Sequence, residues 1–239
     1  MGKEVKPQGG SKMTKKVLVI ISGLALLFTA CSKENLPVTA NYWPLAEGNQ
    51  WTTEEDFSWD IQLTGPGAST STTEHSVAAF KESSAGKLMW PYTYTTTSPG
   101  VDPFTNTEYY YVTADSVYVY DSLGAEEPRM VEPNILSVGM EWDAMLSLPI
   151  SISGIPLSNL PAHFKVVASE VVAVPAGSFT CFKIVVDIDL QGVYVESALT
   201  EWRAANIGRV KMVTDIETSL AVLGTADIEG TSELTKKNW

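Results

Sequence analysis

The chain has 239 residues, with 16 Lys and Arg, 28 Asp and Glu, two His and two Cys, a formal charge of −12 and 44% hydrophobic residues. That composition describes one globular domain plus a short targeting segment and excludes a disordered chain. Residues 1–30 hold five of the Lys and one acid, leaving 11 cations against 27 anions and a net charge of −16; such a surface repels phosphate, so no nucleic-acid partner is expected.

The first element is a targeting segment. From Met13 the chain reads Met-Thr-Lys15-Lys16, followed by fourteen uncharged residues, Val17 to Ala30. A spanning helix needs roughly 20 apolar residues, so this is a secretory signal spanning 1–30, with Met13 as the true start. It ends Phe28-Thr29-Ala30-Cys31, which resembles the lipobox of bacterial lipoproteins, although Phe28 stands where that pattern has Leu. The resemblance makes Cys31 the lipidated N-terminus, its thiolate joined to a diacylglyceryl group. Several acyl chains at ~0.8 kcal/mol per methylene would then hold the protein to the membrane. On an ordinary secretory signal, Cys31 would be incidental. The residues after Cys31 include no Asp directly following it, which by the same resemblance favours the outer membrane. Residues 31–41 are expected to serve as a tether, and 42–239 as a single β domain.

Beyond Tyr42 the dominant signal is alternation with a period of two. Phe182-Lys-Ile184-Val-Val186-Asp-Ile188-Asp-Leu190 places apolar side chains on one parity and Lys183, Asp187 and Asp189 on the other; Val210 to Ile216 repeats the pattern. In chain order, strands are expected over Trp51–Leu63, Leu88–Tyr94, Glu108–Thr113, Val117–Asp121, Val166–Val174, Phe182–Leu190, Val193–Arg203, Val210–Ile216 and Leu220–Ile228. Pro91 marks Leu88–Tyr94 as an edge strand, and Ala114-Asp115-Ser116 as a hairpin turn. Loops are expected at Thr64–Thr73, Ser98–Thr107 and Leu123–Pro133, with helical alternatives at Leu136–Leu148 and Leu199–Asn206. The expected fold is all-β, a single antiparallel, strongly curved sheet, half-barrel or barrel, of about nine strands with at most short helices. Leu45-Ala-Glu-Gly48-Asn-Gln-Trp51 and Leu136-Ser-Val-Gly139-Met-Glu-Trp142 share Leu-x-x-Gly-x-x-Trp, read as shared turn chemistry in which glycine takes a positive φ and Trp plugs the core.

Three strings carry a further resemblance: Tyr42-Trp-Pro-Leu-Ala-Glu-Gly-Asn-Gln-Trp51, Val174-Pro-Ala-Gly-Ser-Phe-Thr-Cys-Phe-Lys-Ile184 and Trp202-Arg-Ala-Ala-Asn-Ile-Gly-Arg-Val-Lys211. In this order they are similar to motifs of a family of uncharacterised bacterial outer-membrane lipoproteins. The resemblance implies an antiparallel sheet, some members being compared with curved half-barrels that carry lipids and lipoproteins; it leaves function open.

No catalytic set, metal site or cofactor is expected. His75 and His163 are too few for a His-rich metal site, and no Gly-x-Ser-x-Gly occurs. Cys181 with His163 could form a nucleophile pair, but a lone packed thiol is the simpler reading. Asp187 and Asp189 share a strand face, as glycosidase acids might, yet a solvated face explains them. The aromatic rows Trp90, Tyr92, Tyr94 and Tyr109, Tyr110, Tyr111, with Tyr110 on the opposite parity from its neighbours, are the candidate ligand-binding residues. The expected function is a lipid-anchored, non-enzymatic envelope lipoprotein of the outer membrane, attached by its acyl chains and binding an apolar ligand or a partner protein. A carbohydrate-binding lipoprotein is the alternative, and a hydrolase using Asp or Glu the third reading.

Overall fold

The computed structural model describes residues 41–79, 81–84, 86–146, 151–152, 155–156, 159–190, 192–220 and 224–239; the expected signal segment, Cys31 and all of the expected tether but Asn41 lie outside them. The described residues form strands and turns only. In chain order the strands are β1 (Gln50–Ile61), β2 (Gly65–Val77), β3 (Glu82–Ser84), β4 (Lys87–Thr97), β5 (Phe104–Val112), β6 (Ser116–Tyr120), β7 (Met130–Pro133), β8 (Glu141–Leu146), β9 (Ser151–Ile152), β10 (Ile155–Pro156), β11 (Leu160–Val174), β12 (Gly177–Leu190), β13 (Val193–Ala204), β14 (Gly208–Leu220) and β15 (Gly224–Lys237).

Twelve of these make one antiparallel sheet in the order β7-β6-β5-β4-β2-β1-β15-β14-β13-β12-β11-β8; β3 adds to β4, and β9 and β10 pair separately. The path is two six-stranded meanders joined through β1 and β15. Its two ends, β7 and β8, come into contact without forming a ladder, so the sheet curls nearly into a barrel. Each meander is opened by a Leu-x-x-Gly-x-x-Trp string. Gly48 has φ 73° and Gly139 φ 90°, Leu45 and Leu136 are buried, and Trp51 and Trp142 are the second residues of β1 and β8. Glycine is what the left-handed backbone requires at both places.

Eight of the nine expected strands are present; the ninth, Leu220–Ile228, spans the end of β14, residues 221–223 outside the described ones, and the start of β15, and the sheet has more strands than expected. The stretch Thr64–Thr73, expected to be a loop, is rich in Gly, Ser and Thr yet lies almost entirely in β2, whose ladder to β1 runs from Gln50↔Ser76 to Ile61↔Gly65. Backbone pairing with a strong neighbour overrides its weak side-chain signal. The Leu136–Leu148 alternative contains β8, and Leu199–Ala204 belongs to β13, so neither described stretch is helical. Nor is β4 an edge strand: it pairs with β5 and β2. Pro91 is tolerated because β2 pairs with β4 only over Thr72–Val77, and β3 takes over at Met89. The Pro91 carbonyl accepts from Ala78 N on that side, so its missing N–H faces the gap between two partners.

The inner face carries the core. One cluster gathers Phe57, Ile61, Phe164, Ile184, Ile188 and Ile216 with their neighbours; a second gathers Leu45, Trp51, Val77, Tyr110, Val117 and Leu234. Phe57 lies over Gly230 of β15 and Trp59 over Gly67 of β2, where a Cβ would come within 2.5 Å of the indole. Aromatics of β1 thus occupy the space that glycines leave on both neighbouring strands.

Candidate functional site

Cross-strand register sorts the sequence-predicted aromatics. Trp90 is opposite Tyr110 and Tyr94 opposite Asn106, which places Trp90, Tyr92, Tyr94 and Tyr110 on the inner face. Tyr109 sits opposite Pro91 and Tyr120, and Tyr111 opposite Tyr118, all on the outer face. The six candidates therefore divide four and two. Tyr111 packs on Tyr118 with centroids 5.8 Å apart, while Tyr120 accepts a 2.7 Å hydrogen bond from Lys87. The ammonium of Lys81 lies 4.5 Å over the Trp90 ring, a cation–π contact.

The inner-face rings continue into residues outside the six candidates. Phe104 and Tyr94 are 6.3 Å apart, Tyr94 and Tyr92 6.0 Å, Tyr92 and His75 5.9 Å, His75 and Trp51 5.0 Å, and Trp51 and Trp239 5.7 Å. Tyr110 meets Tyr92 edge-on at 5.1 Å. This is an unbroken aromatic ribbon. Phe104, at one end, is 60% exposed; Tyr94, Tyr92 and His75 are half-buried, and Trp51 is buried. The open end flanks the stretch of β2 that β4 leaves unpaired. Phe104 falls in Ser98–Thr107, a stretch expected to be a loop that instead ends in β5, and Trp51 and Trp239 are remote from it in sequence.

Polar groups sit among the rings. His75 Nδ1 is 2.6 Å from the Tyr92 hydroxyl and Nε2 is 3.0 Å from Thr53 Oγ1. Burial first, then the charge of Arg209, lowers the imidazole to about 3, so it is neutral at physiological pH. Burial likewise raises the Tyr92 and Tyr110 hydroxyls and the Glu55 carboxyl, the last partly offset by the hydrogen bond Ser71 donates at 2.8 Å. Arg129 bonds Glu108 and Asp121, both at 2.6 Å, and Glu108 accepts from Tyr110 at 3.0 Å.

The other candidates have structural partners. Asp187 accepts from the Tyr194 hydroxyl at 2.6 Å and from Ser197 N at 2.7 Å, and Asp189 accepts from Gly192 N at 2.5 Å. Both carboxylates brace the β12–β13 hairpin. His163 pairs with Asp143 at 2.8 Å. Cys181 lies opposite Glu170 of β11 and His163 opposite Asp187, seven positions apart along one strand, or about 23 Å at the usual rise. Cys181 and His163 are therefore not brought together. Cys181 is fully buried, and burial pushes its thiol up to about 12. Among the described residues no group of three His, Cys, Asp or Glu could hold a metal ion. Cys31 lies outside the described residues.

A groove of about 370 Å³ lies on the outer face. Its floor includes Glu54, Asp56, Thr72 and Glu233, and Pro99 and Pro175 stand beside it. It is acidic and rich in hydroxyls.

The DUF3108-like family matches residues 157–214, which cover all of β11, β12 and β13 and the first half of β14. No curated protein matches the sequence. Two crystal structures are similar in fold. One is of a protein inferred to be exported, with a YmcC-like fold, from Bacteroides fragilis: 15% identity, 84% of this chain, 100% of that chain, TM-score 0.48. The other is of a protein inferred to be a lipoprotein, from Parabacteroides distasonis: 13% identity, 83% of this chain, 99% of that chain, TM-score 0.45.

Proposed function

We propose that this chain is a lipid-anchored lipoprotein of the cell envelope, held at the outer membrane through Cys31, and that its domain is a non-enzymatic binding module for an apolar ligand. The aromatic ribbon carries this reading. A row of rings that begins at a 60% exposed phenylalanine and runs inward to the buried Trp51 offers a graded apolar surface on which an extended ligand can exchange water for ring contacts. Interior rings pack on one another, so the ligand lies along the open end of the ribbon and is not enclosed.

The test uses the full chain with Cys31→Ser, which removes the acyl chains, examined by native mass spectrometry and by organic extraction. A lipid-sized adduct is expected, and it should be lost in a Tyr94→Ser/Phe104→Ser variant. A clean apo mass, together with no response to an added apolar fluorophore, would end this reading.

The outer groove favours a second reading, in which the module binds a glycan: its carboxylates and threonine hydroxyls suit sugar hydroxyls. Retention on a glycan array that disappears with Asp56→Asn would support it, and a flat array would remove it.

A further inference from the structure

The cations of the inner face are not equivalent. Arg203 is held between Glu132 and Glu201, and Arg129 between Glu108 and Asp121. Arg209 has no carboxylate within ion-pair distance among the described residues; its guanidinium donates to Met212 Sδ at 3.7 Å, a weak acceptor that leaves most of its five N–H donors to solvent. The acids that feel its charge have other partners, Glu55 accepting from Ser71 and Glu132 from Arg203.

Position makes this free cation informative. A bulge in the β13–β14 ladder sets Arg209 opposite Arg203, on the inner side of the sheet. Its side chain reaches core residue Met212 and yet remains exposed. Arg203, which it faces, lies 5.1 Å from the Trp43 ring, Trp43 meets Tyr110 at 5.5 Å, and Tyr110 meets Tyr92 at 5.1 Å, so Arg209 borders the inner-face aromatics, and its charge bears on His75 and Tyr92. In a chain with a net charge of −12, a solvent-reachable, unpaired guanidinium beside an apolar ribbon is suited to a bidentate contact with a carboxylate or phosphate.

We infer that Arg209 binds the anionic head group of the ligand that lies on the aromatic ribbon, so that the ligand class is an acidic amphiphile, a carboxylate or phosphate ester carried on an apolar body. This rests on the ribbon being the ligand face.

The test is a titration of tryptophan fluorescence in the Cys31→Ser chain with oleate, with oleyl alcohol and with inorganic phosphate, for the parent, Arg209→Gln, Arg209→Lys and Tyr94→Ser/Phe104→Ser. Oleate should bind saturably. Arg209→Gln should weaken it at least tenfold and Arg209→Lys less, while oleyl alcohol binds more weakly and is insensitive to residue 209. Equal oleate affinity in the parent and Arg209→Gln, with both ligands weakened by the ribbon variant, would overturn the anchor and leave the ribbon reading intact. No binding of either lipid would remove both. Phosphate that displaces oleate from the parent but not from Arg209→Gln supports the head-group site; phosphate binding without oleate binding overturns the amphiphile. Matching urea midpoints for the parent and Arg209→Gln establish that folding is unchanged.

Discussion

Arg203 on β13 bonds Glu132 on β7, 71 positions away in sequence, and both side chains are buried. The pair ties the free end of the first meander to the middle of the second, across the inner face. Arg203 also holds Glu201 at 2.6 Å, so one guanidinium serves two carboxylates. Arg203→Met would leave both acids buried without their cation and should cost about 3–5 kcal/mol in urea unfolding. The triple variant with Glu132→Met and Glu201→Met should recover most of that loss. A loss below about 1 kcal/mol for Arg203→Met would show that the bond does not hold the halves together.

His75 makes folding sensitive to acid. Its imidazole titrates near 6.5 when free and near 3 in the fold. Between those values the unfolded chain binds more protons, so the stability linked to His75 is present above pH 6.5 and is lost as pH falls toward 3. The slope should reach at most one proton, about 1.4 kcal/mol per pH unit. Denaturant midpoints measured from pH 7 to pH 4 should fall less steeply in His75→Gln, and identical slopes would refute the assignment.

Gly230 has no room for a side chain, because a Cβ there would overlap the Phe57 ring. Gly230→Ala should therefore destabilise by about 1–3 kcal/mol, the usual cost of overpacking, and Phe57→Leu in the same chain should reduce that cost. Additive losses in the double variant would mean that the two residues do not share the space.

Cys181 is expected to be inert in the folded protein. It is fully buried, with its thiol raised to about 12 by burial and, to a smaller degree, by Glu170, and the thiolate is the reactive form. Iodoacetamide at pH 8 should leave it unmodified until urea unfolds the chain. Rapid labelling of the native state would contradict the packing described.

The strands with strong alternation were legible in the residues themselves. Phe182–Leu190 and Val210–Ile216 can bury one face in only one register, and the structure buries those parities. The glycines of the two Leu-x-x-Gly-x-x-Trp strings were legible for a similar reason, since both take the positive φ that a tight turn needs. β2 was not, because Gly65–Val77 carries no dominant apolar parity and becomes a strand by pairing with β1.

Of the candidate site, the sequence determined which aromatics share a face within a strand: parity alone separates Tyr110 from Tyr109 and Tyr111. Only the tertiary structure decided that Phe104, His75, Trp51 and Trp239 join Tyr92 and Tyr94 in one ribbon, and that Arg209 stands beside it unpaired. Alternation is a local property of the pleated backbone, readable from neighbours in the chain. Proximity between β1, β2, β4, β5, β14 and β15 depends on the curl of the sheet and on which strands pair, which no short stretch of sequence encodes.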